Sequence, residues 1–203
     1  MNVVNLAVDA DVFTSNAYLV EGDRTVLIDP GAMPGTIDAI RDRGAALDAV
    51  VVTHQHADHV AELDSVVDAF SPDVYAYADH PRRTEALVDG DHLDIGDERF
   101  EAVHTPGHAD DHLAFVSETT LFSGDVVVHD DAAFTGGSFG RTDQPGQSRS
   151  TLIESIERLL DRLPDSVEAM YAGHGGTFEG DVRSVVERAL DRAKRREPKY
   201  PEE

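Results

Sequence analysis

Three imidazoles and a carboxylate stand within six positions of this chain: His54, His56, Asp58 and His59, in the run Thr53-His54-Gln55-His56-Ala57-Asp58-His59. Neutral imidazole and carboxylate are the usual protein ligands for zinc, iron and manganese. An aspartate cap beside solvated rings has no need of three histidines, so the run reads as a metal site. His54 and His56, two apart in an extended segment, share one direction. Asp58 and His59, one step on where the chain turns, can aim at a second point nearby. Asp58 is also placed to cap a helix.

The flanks explain how such a cluster could be held. Before it lies Ala49-Val50-Val51-Val52, a short β-branched run of the kind found in buried strands. After it, apolar residues recur at Val60, Leu63, Val66, Val67 and Phe70, which predicts a helix over residues 60–70. The cluster therefore sits on a strand-to-helix turn at a sheet edge. Other donors repeat that placement. A strand at 100–104 leads into Thr105-Pro106-Gly107-His108, where Pro and Gly force a tight turn, and His112 precedes a strand at 113–116. Leu121-Phe122-Ser123-Gly124-Asp125 is a strand ending in Gly then Asp. A strand at 167–171 runs into Gly173-His174-Gly175. The strand at 25–28 ends in Asp29-Pro30-Gly31, and Asp29 reads either as a turn residue or as a carboxylate that fixes a ligand histidine.

Collected, His54, His56, Asp58, His59, His108, Asp125 and His174 are five histidines and two carboxylates. That is enough for two metals, as two three-ligand sets with one carboxylate spanning both. Each metal would keep an open position for water, as catalytic sites do, and would lower the pKa of that water and polarise a carbonyl or phosphoryl oxygen.

The remaining pattern predicts strands at 3–8, 17–20 and 74–78, a turn at 9–16, and helices at 34–43, 81–88, 152–163 and 181–196. Residues 135–148 form a Gly-rich irregular loop beside the site. His80 reads as an exposed loop residue, His92 as a structural turn residue, and His129 with Asp130 and Asp131 as a solvated loop. At 203 residues the chain fits one domain spanning 1–203.

The formal charge is −23, with 26 of the 40 acidic residues Asp and only Lys194 and Lys199 as lysines. A hydrated acidic surface with this bias favours a salt-rich cytoplasm, where charge repulsion is screened to a few ångström. Nucleic acid and anionic membranes, which need basic patches, are not expected partners. Cysteine is absent, which excludes disulfides and thiolate ligands. No signal-peptide pattern or membrane-length apolar stretch is seen, so a soluble, cytoplasmic protein is expected. The expected partner is a small-molecule substrate, with homodimerisation left open.

His54-x-His56-x-Asp58-His59, Thr105-Pro106-Gly107-His108, Ser123-Gly124-Asp125 and Gly173-His174-Gly175 resemble the metallo-β-lactamase superfamily in identity, order and approximate spacing. Asn16-Ala17-Tyr18-Leu19-Val20 and Leu27-Ile28-Asp29-Pro30-Gly31 resemble its opening strands. The resemblance implies an α/β fold, an αββα sandwich of two mixed β-sheets flanked by helices, with the metal centre at one edge of the sheets. It also implies that His54, His56 and His108 hold one metal, that Asp58, His59 and His174 hold the other, and that Asp125 bridges. Two divalent ions are implied, zinc first, with iron or manganese as alternatives.

Thr105-Pro106-Gly107-His108 with His112, and Gly140-Arg141-Thr142-Asp143-Gln144-Pro145-Gly146, look most like the glyoxalase II and persulfide dioxygenase branch. The lack of cysteine speaks against class B β-lactamases, and the lack of a carboxylate at position 56 against the flavodiiron branch. Glyoxalase II usually carries a helical C-terminal domain that helps bind glutathione, whereas this sequence ends after one closing helix. That counts against glutathione and leaves another thiol open.

Three functions follow. The first is a thioester hydrolase in which metal-bound hydroxide attacks the carbonyl and the metals stabilise the oxyanion. Asp58, His112 and Arg141 are its catalytic candidates beyond simple ligation. His112 could instead be a fixed supporting group, and Arg141 an ion pair with Asp143. The second is a sulfur dioxygenase with a single iron, whose ligands by the resemblance would be His56, His108 and Asp125. The third is a non-catalytic metal-binding module.

Overall fold

The structure is a computed structural model that describes residues 1–8 and 10–199. Asp9, the first residue of the expected turn, lies outside the described residues. The chain forms two compact units, Met1–Phe100 and a second from Glu101 onward.

The first unit holds a six-stranded mixed sheet in the order β1 (Asn2–Asn5), β2 (Tyr18–Glu21), β3 (Val26–Ile28), β4 (Ala49–Val51), β5 (Asp73–Ala76), β6 (Glu85–Ala86). β1, β2 and β3 pair antiparallel; β3 to β6 pair parallel. Parallel neighbours need crossovers, supplied by α1 (Thr36–Asp42) between β3 and β4, and by α2 (Ala57–Val60) with α3 (Leu63–Phe70) between β4 and β5. Ile40, Leu63 and Val66 pack on Leu19, Leu27, Val50 and Val74, each contributing roughly 1.5–3 kcal/mol by burial. The β3–β4 register pairs Ile28 with Val51. Asp29 and the 53–59 run therefore leave adjacent strand ends on the same side of the sheet.

The second sheet has the order β14 (Phe178–Glu179), β13 (Ala169–Ala172), β10 (Thr120–Gly124), β9 (Leu113–Val116), β8 (Glu98–His104), β7 (His92–Ile95), and β8 carries the chain from the first unit into the second. β11 (Val127–Val128) and β12 (Ser138–Phe139) make a small antiparallel ribbon. β10 and β13 are parallel, while β9 is antiparallel to both β8 and β10. The C-terminal ends of β8, β10 and β13 thus lie at one end of the sheet. α4 (Arg149–Arg162) and α5 (Val182–Lys194) turn Leu152, Ile156, Leu159, Val182, Val185 and Val186 into the second core. Ser148 caps α4 by accepting from Thr151 N, and Asp181 caps α5 by accepting from Ser184 N.

Two mixed sheets with packed helices are the expected class. Several local expectations are corrected. The helix read over 60–70 starts earlier and breaks into α2 and α3, and Asp58 lies in the first turn of α2 while His56 holds the N-cap position. Residues 81–88 are not helical: Glu85 and Ala86 pair with Tyr75 and Ala76 as β6, because a parallel edge partner supplies hydrogen bonds a single helical turn would not. His92 opens β7 rather than a turn. β1 ends at Asn5, whose Oδ1 accepts from Ala7 N and Ala17 N and so bends the chain. β11, β12 and β14 are two-residue strands, too short to show a period.

Candidate metal centre

In the first unit the chain leaves β4 extended and winds into α2. Asp29 is 2% exposed and holds a left-handed φ of 52°, a conformation a non-glycine residue keeps only when its surroundings fix it. They do. Its Oδ1 accepts from Thr53 N at 2.8 Å, and its Oδ2 accepts from Thr53 Oγ1 at 2.6 Å and from His59 Nδ1 at 2.8 Å. Asp29 is therefore the carboxylate that fixes a histidine, as one of its two readings held.

That carboxylate also sets the tautomers. His59 donates from Nδ1, so its Nε2 carries the lone pair. Thr53 gives its only proton to Asp29, so its oxygen, 3.1 Å from His54 Nδ1, must accept from that ring. His54 Nε2 is then left as a lone pair, 3.0 Å from His56 Nδ1. Two nitrogens bound tetrahedrally to zinc would stand about 3.3 Å apart. The rings of His54 and His59 are 4.0 Å apart, and Asp58 Oδ2 is 3.9 Å from His59 Nε2. Backbone bonds pin the turn: Ser15 N donates to Asp58 O and Gly31 N to His59 O.

In the second unit three strand ends converge. Gly107, φ +125°, lies so close to α4 that a Cβ there would be 2.4 Å from Leu152 N. His108 follows, and its Nδ1 donates to Arg141 O at 3.0 Å, leaving Nε2 as the acceptor. Gln147 holds the His108 carbonyl at 2.9 Å. Asp125 leaves β10, and His174 leaves the parallel β13, where Gly173 N donates to Gly124 O. Asp125 Oδ2 is 3.4 Å from both His108 Nε2 and His174 Nε2. That exceeds a good hydrogen bond to a carboxylate, and with His108 neutral it sets a lone pair against an anionic oxygen. A cation among these donors relieves the repulsion, so the residues present fit a metal.

His112 is fully buried with both nitrogens engaged. Asp125 N can only donate, and it meets His112 Nε2 at 2.8 Å, so Nδ1 carries the proton and donates to Thr105 Oγ1 at 2.7 Å. His112 braces the backbone of Asp125. Arg141 grips Asp143 with Nε and Nη2 at 2.8 and 2.7 Å, which pulls the Asp143 carboxyl down to about 2.

The sequence did not reveal the parts played by Thr53, Thr105, Gln147 and the Arg141 carbonyl. Both threonines stand inside the motifs, and a hydroxyl beside a motif histidine was the available signal. The other histidines serve elsewhere. His104 Nε2 meets Asp110 O, His92 Nδ1 meets Gly90 O, and His80 Nδ1 accepts from Arg82 N. His129, read as solvated, instead stacks on Phe178 at 4.3 Å and pairs with Asp130 at 3.0 Å.

Strand-end histidines and carboxylates on two mixed sheets define a metal-binding α/β protein. More closely, residues 10–174 match the metallo-beta-lactamase superfamily, and the chain belongs to it. It is 33% identical to a hydroxyacylglutathione hydrolase of Chromohalobacter salexigens, over 77% of this chain and 59% of that one. It is 29% identical to the probable metallo-hydrolase YqgX of Bacillus subtilis, over 79% and 85%. Among solved structures, TTHA1623 in a di-iron-bound form is similar at 30% identity and TM-score 0.70, over 93% and 98%. The chain spans about three fifths of the hydroxyacylglutathione hydrolase it matches. Among the described residues, no helix is long and apolar enough to cross a membrane.

Proposed function

We propose that the chain is a metal-dependent hydrolase of thioesters, with a hydroxyacyl group on a small thiol as substrate. One observation carries it: a single Asp125 oxygen 3.4 Å from two imidazole nitrogens, one of them fixed as an acceptor by the Arg141 carbonyl. The similarity to a hydroxyacylglutathione hydrolase directs the choice of substrate class.

In this reading, which follows the superfamily pattern, His54, His56 and His108 would form one donor set and Asp58, His59 and His174 the other, with Asp125 shared. When bound, two divalent ions, zinc first, would lower the pKa of a water and polarise the thioester carbonyl. The chain's own groups do the rest. Asp29 and Thr53 hold the lone pairs of His54 and His59 in place, and His112 fixes Asp125. Asp58, one-fifth exposed, can hold a proton at its carboxylate during turnover. Arg141, 41% exposed and oriented by Asp143, is the group to orient an anionic part of the substrate.

The test is elemental analysis joined to turnover on hydroxyacyl thioesters of glutathione and of other small thiols. About two zinc per chain with hydrolysis is the expected result. About one iron, with oxygen uptake on a persulfide, would replace this reading by the dioxygenase. Metal without turnover on any thioester, persulfide, lactone or phosphoester would leave a binding module.

A further inference from the structure

Lys199 is one of two lysines in an acidic chain, and its side chain is only 6% exposed. Its ammonium pairs with Asp131 Oδ2 at 2.7 Å, donates to Phe139 O and lies 5.3 Å from the Phe139 ring. Burial raises the Asp131 carboxyl, but Lys199 and Ser138 outweigh it and hold that group below its ordinary range. Arg149 lies 4.7 Å over the same Phe139 ring. Along the same loop, Arg192 donates to Thr135 O and Gly137 O and covers the Phe134 ring at 4.8 Å, while Arg188 donates to Gly136 O. Carbonyls at 135, 136, 137 and 139 are thus held by cations from α5 and the segment after it.

The fastened loop leads directly to the site. After Phe139, Gly140 donates its N–H to Val126 O. A Cβ on Gly140 would lie 1.9 Å from Asp125 O and 3.3 Å from the His108 side chain. The next carbonyl, Arg141 O, is the one His108 Nδ1 donates to. We propose that Lys199, with Arg192, is a positioning residue for His108: it anchors the 134–141 loop so that the Arg141 carbonyl fixes the ring and aims Nε2 at the metal. This rests on the reading of His108 as a metal ligand. A charged donor on a carbonyl in a nearly buried position is directional and strong, and groups that orient a ligand histidine tune metal affinity about 10–100-fold.

The experiment compares wild type, Lys199→Met and Lys199→Arg. Cobalt(II) affinity is measured by chelator competition, the visible spectrum of the cobalt form is recorded, and amide exchange at Gly140 and Arg141 is followed in metal-free protein. Lys199→Met is expected to weaken the looser cobalt site about 10-fold, to alter its spectrum and to speed exchange at Gly140, with Lys199→Arg restoring much of each. Unchanged affinity and spectrum beside a lower melting temperature would overturn the proposal, since a merely structural lysine behaves that way. If wild type binds no cobalt, the metal reading fails. Exchange then judges the anchor alone, and an unchanged Gly140 rate rejects that too.

Discussion

The two donor clusters, one in each half of the chain, are built on opposite plans. His54, His56, Asp58 and His59 come from one turn, and a buried carboxylate one strand away fixes two of their rings. His108, Asp125 and His174 come from three strand ends, joined through the parallel register of β10 with β13 and through a loop carbonyl. The first half is local, so its weak points are side chains. The second is non-local, so its weak points are backbone positions that let strands and loop approach one another.

Four substitutions sharpen that contrast. His56→Ala removes a donor from the local half. Turnover should fall on the order of 10³-fold or more, because polarisation by a metal is worth several kcal/mol, and activity at the wild-type level would refute the metal mechanism. Gly140→Ala tests the non-local half without touching a donor. Its Cβ would lie 1.9 Å from Asp125 O, so the backbone must shift. A loss of about 2–3 kcal/mol in denaturant stability, together with lower metal content, is expected, whereas a stable variant with full metal would show the approach is not needed.

Thr53→Val keeps the shape but removes the hydroxyl that links Asp29 to His54. About 1–2 kcal/mol of stability and roughly tenfold in metal affinity should be lost, with Thr53→Ser restoring both; calorimetric metal titration decides. Asp143→Asn should have the smallest effect. The Asp143 carboxyl lies at about 2 in the folded protein, below its ordinary value, so its stabilisation is complete above about pH 4 and is lost as pH falls through about 2. Partial exposure limits it to about 1 kcal/mol or less. Urea midpoints of wild type and variant should therefore differ at pH 5 and converge towards pH 2; a constant gap would show that the pair is not the cause.

What could be read from residues alone was whatever nearby positions encode. The apolar run 49–52 and the periodicity after it located the strand and a helix, though a two-residue break between α2 and α3 leaves no mark in an apolar pattern. The segment 81–88 was misread because a short edge strand takes its conformation from its partner. Donor types in strand-end turns were likewise legible, since Gly, Pro, His and Asp mark such places by their own conformational and chemical limits.

Which nitrogen of His54, His59, His108 and His112 carries the lone pair was decided by tertiary structure alone. It depends on Asp29 receiving Thr53 and His59 together, on the Arg141 carbonyl meeting His108, and on the Asp125 amide meeting His112. Those partners lie between 13 and 33 residues apart in sequence. Hydrogen bonds of that kind arise only once folding brings strand ends and loops together, so composition and spacing can supply the donors and only the folded chain can aim them.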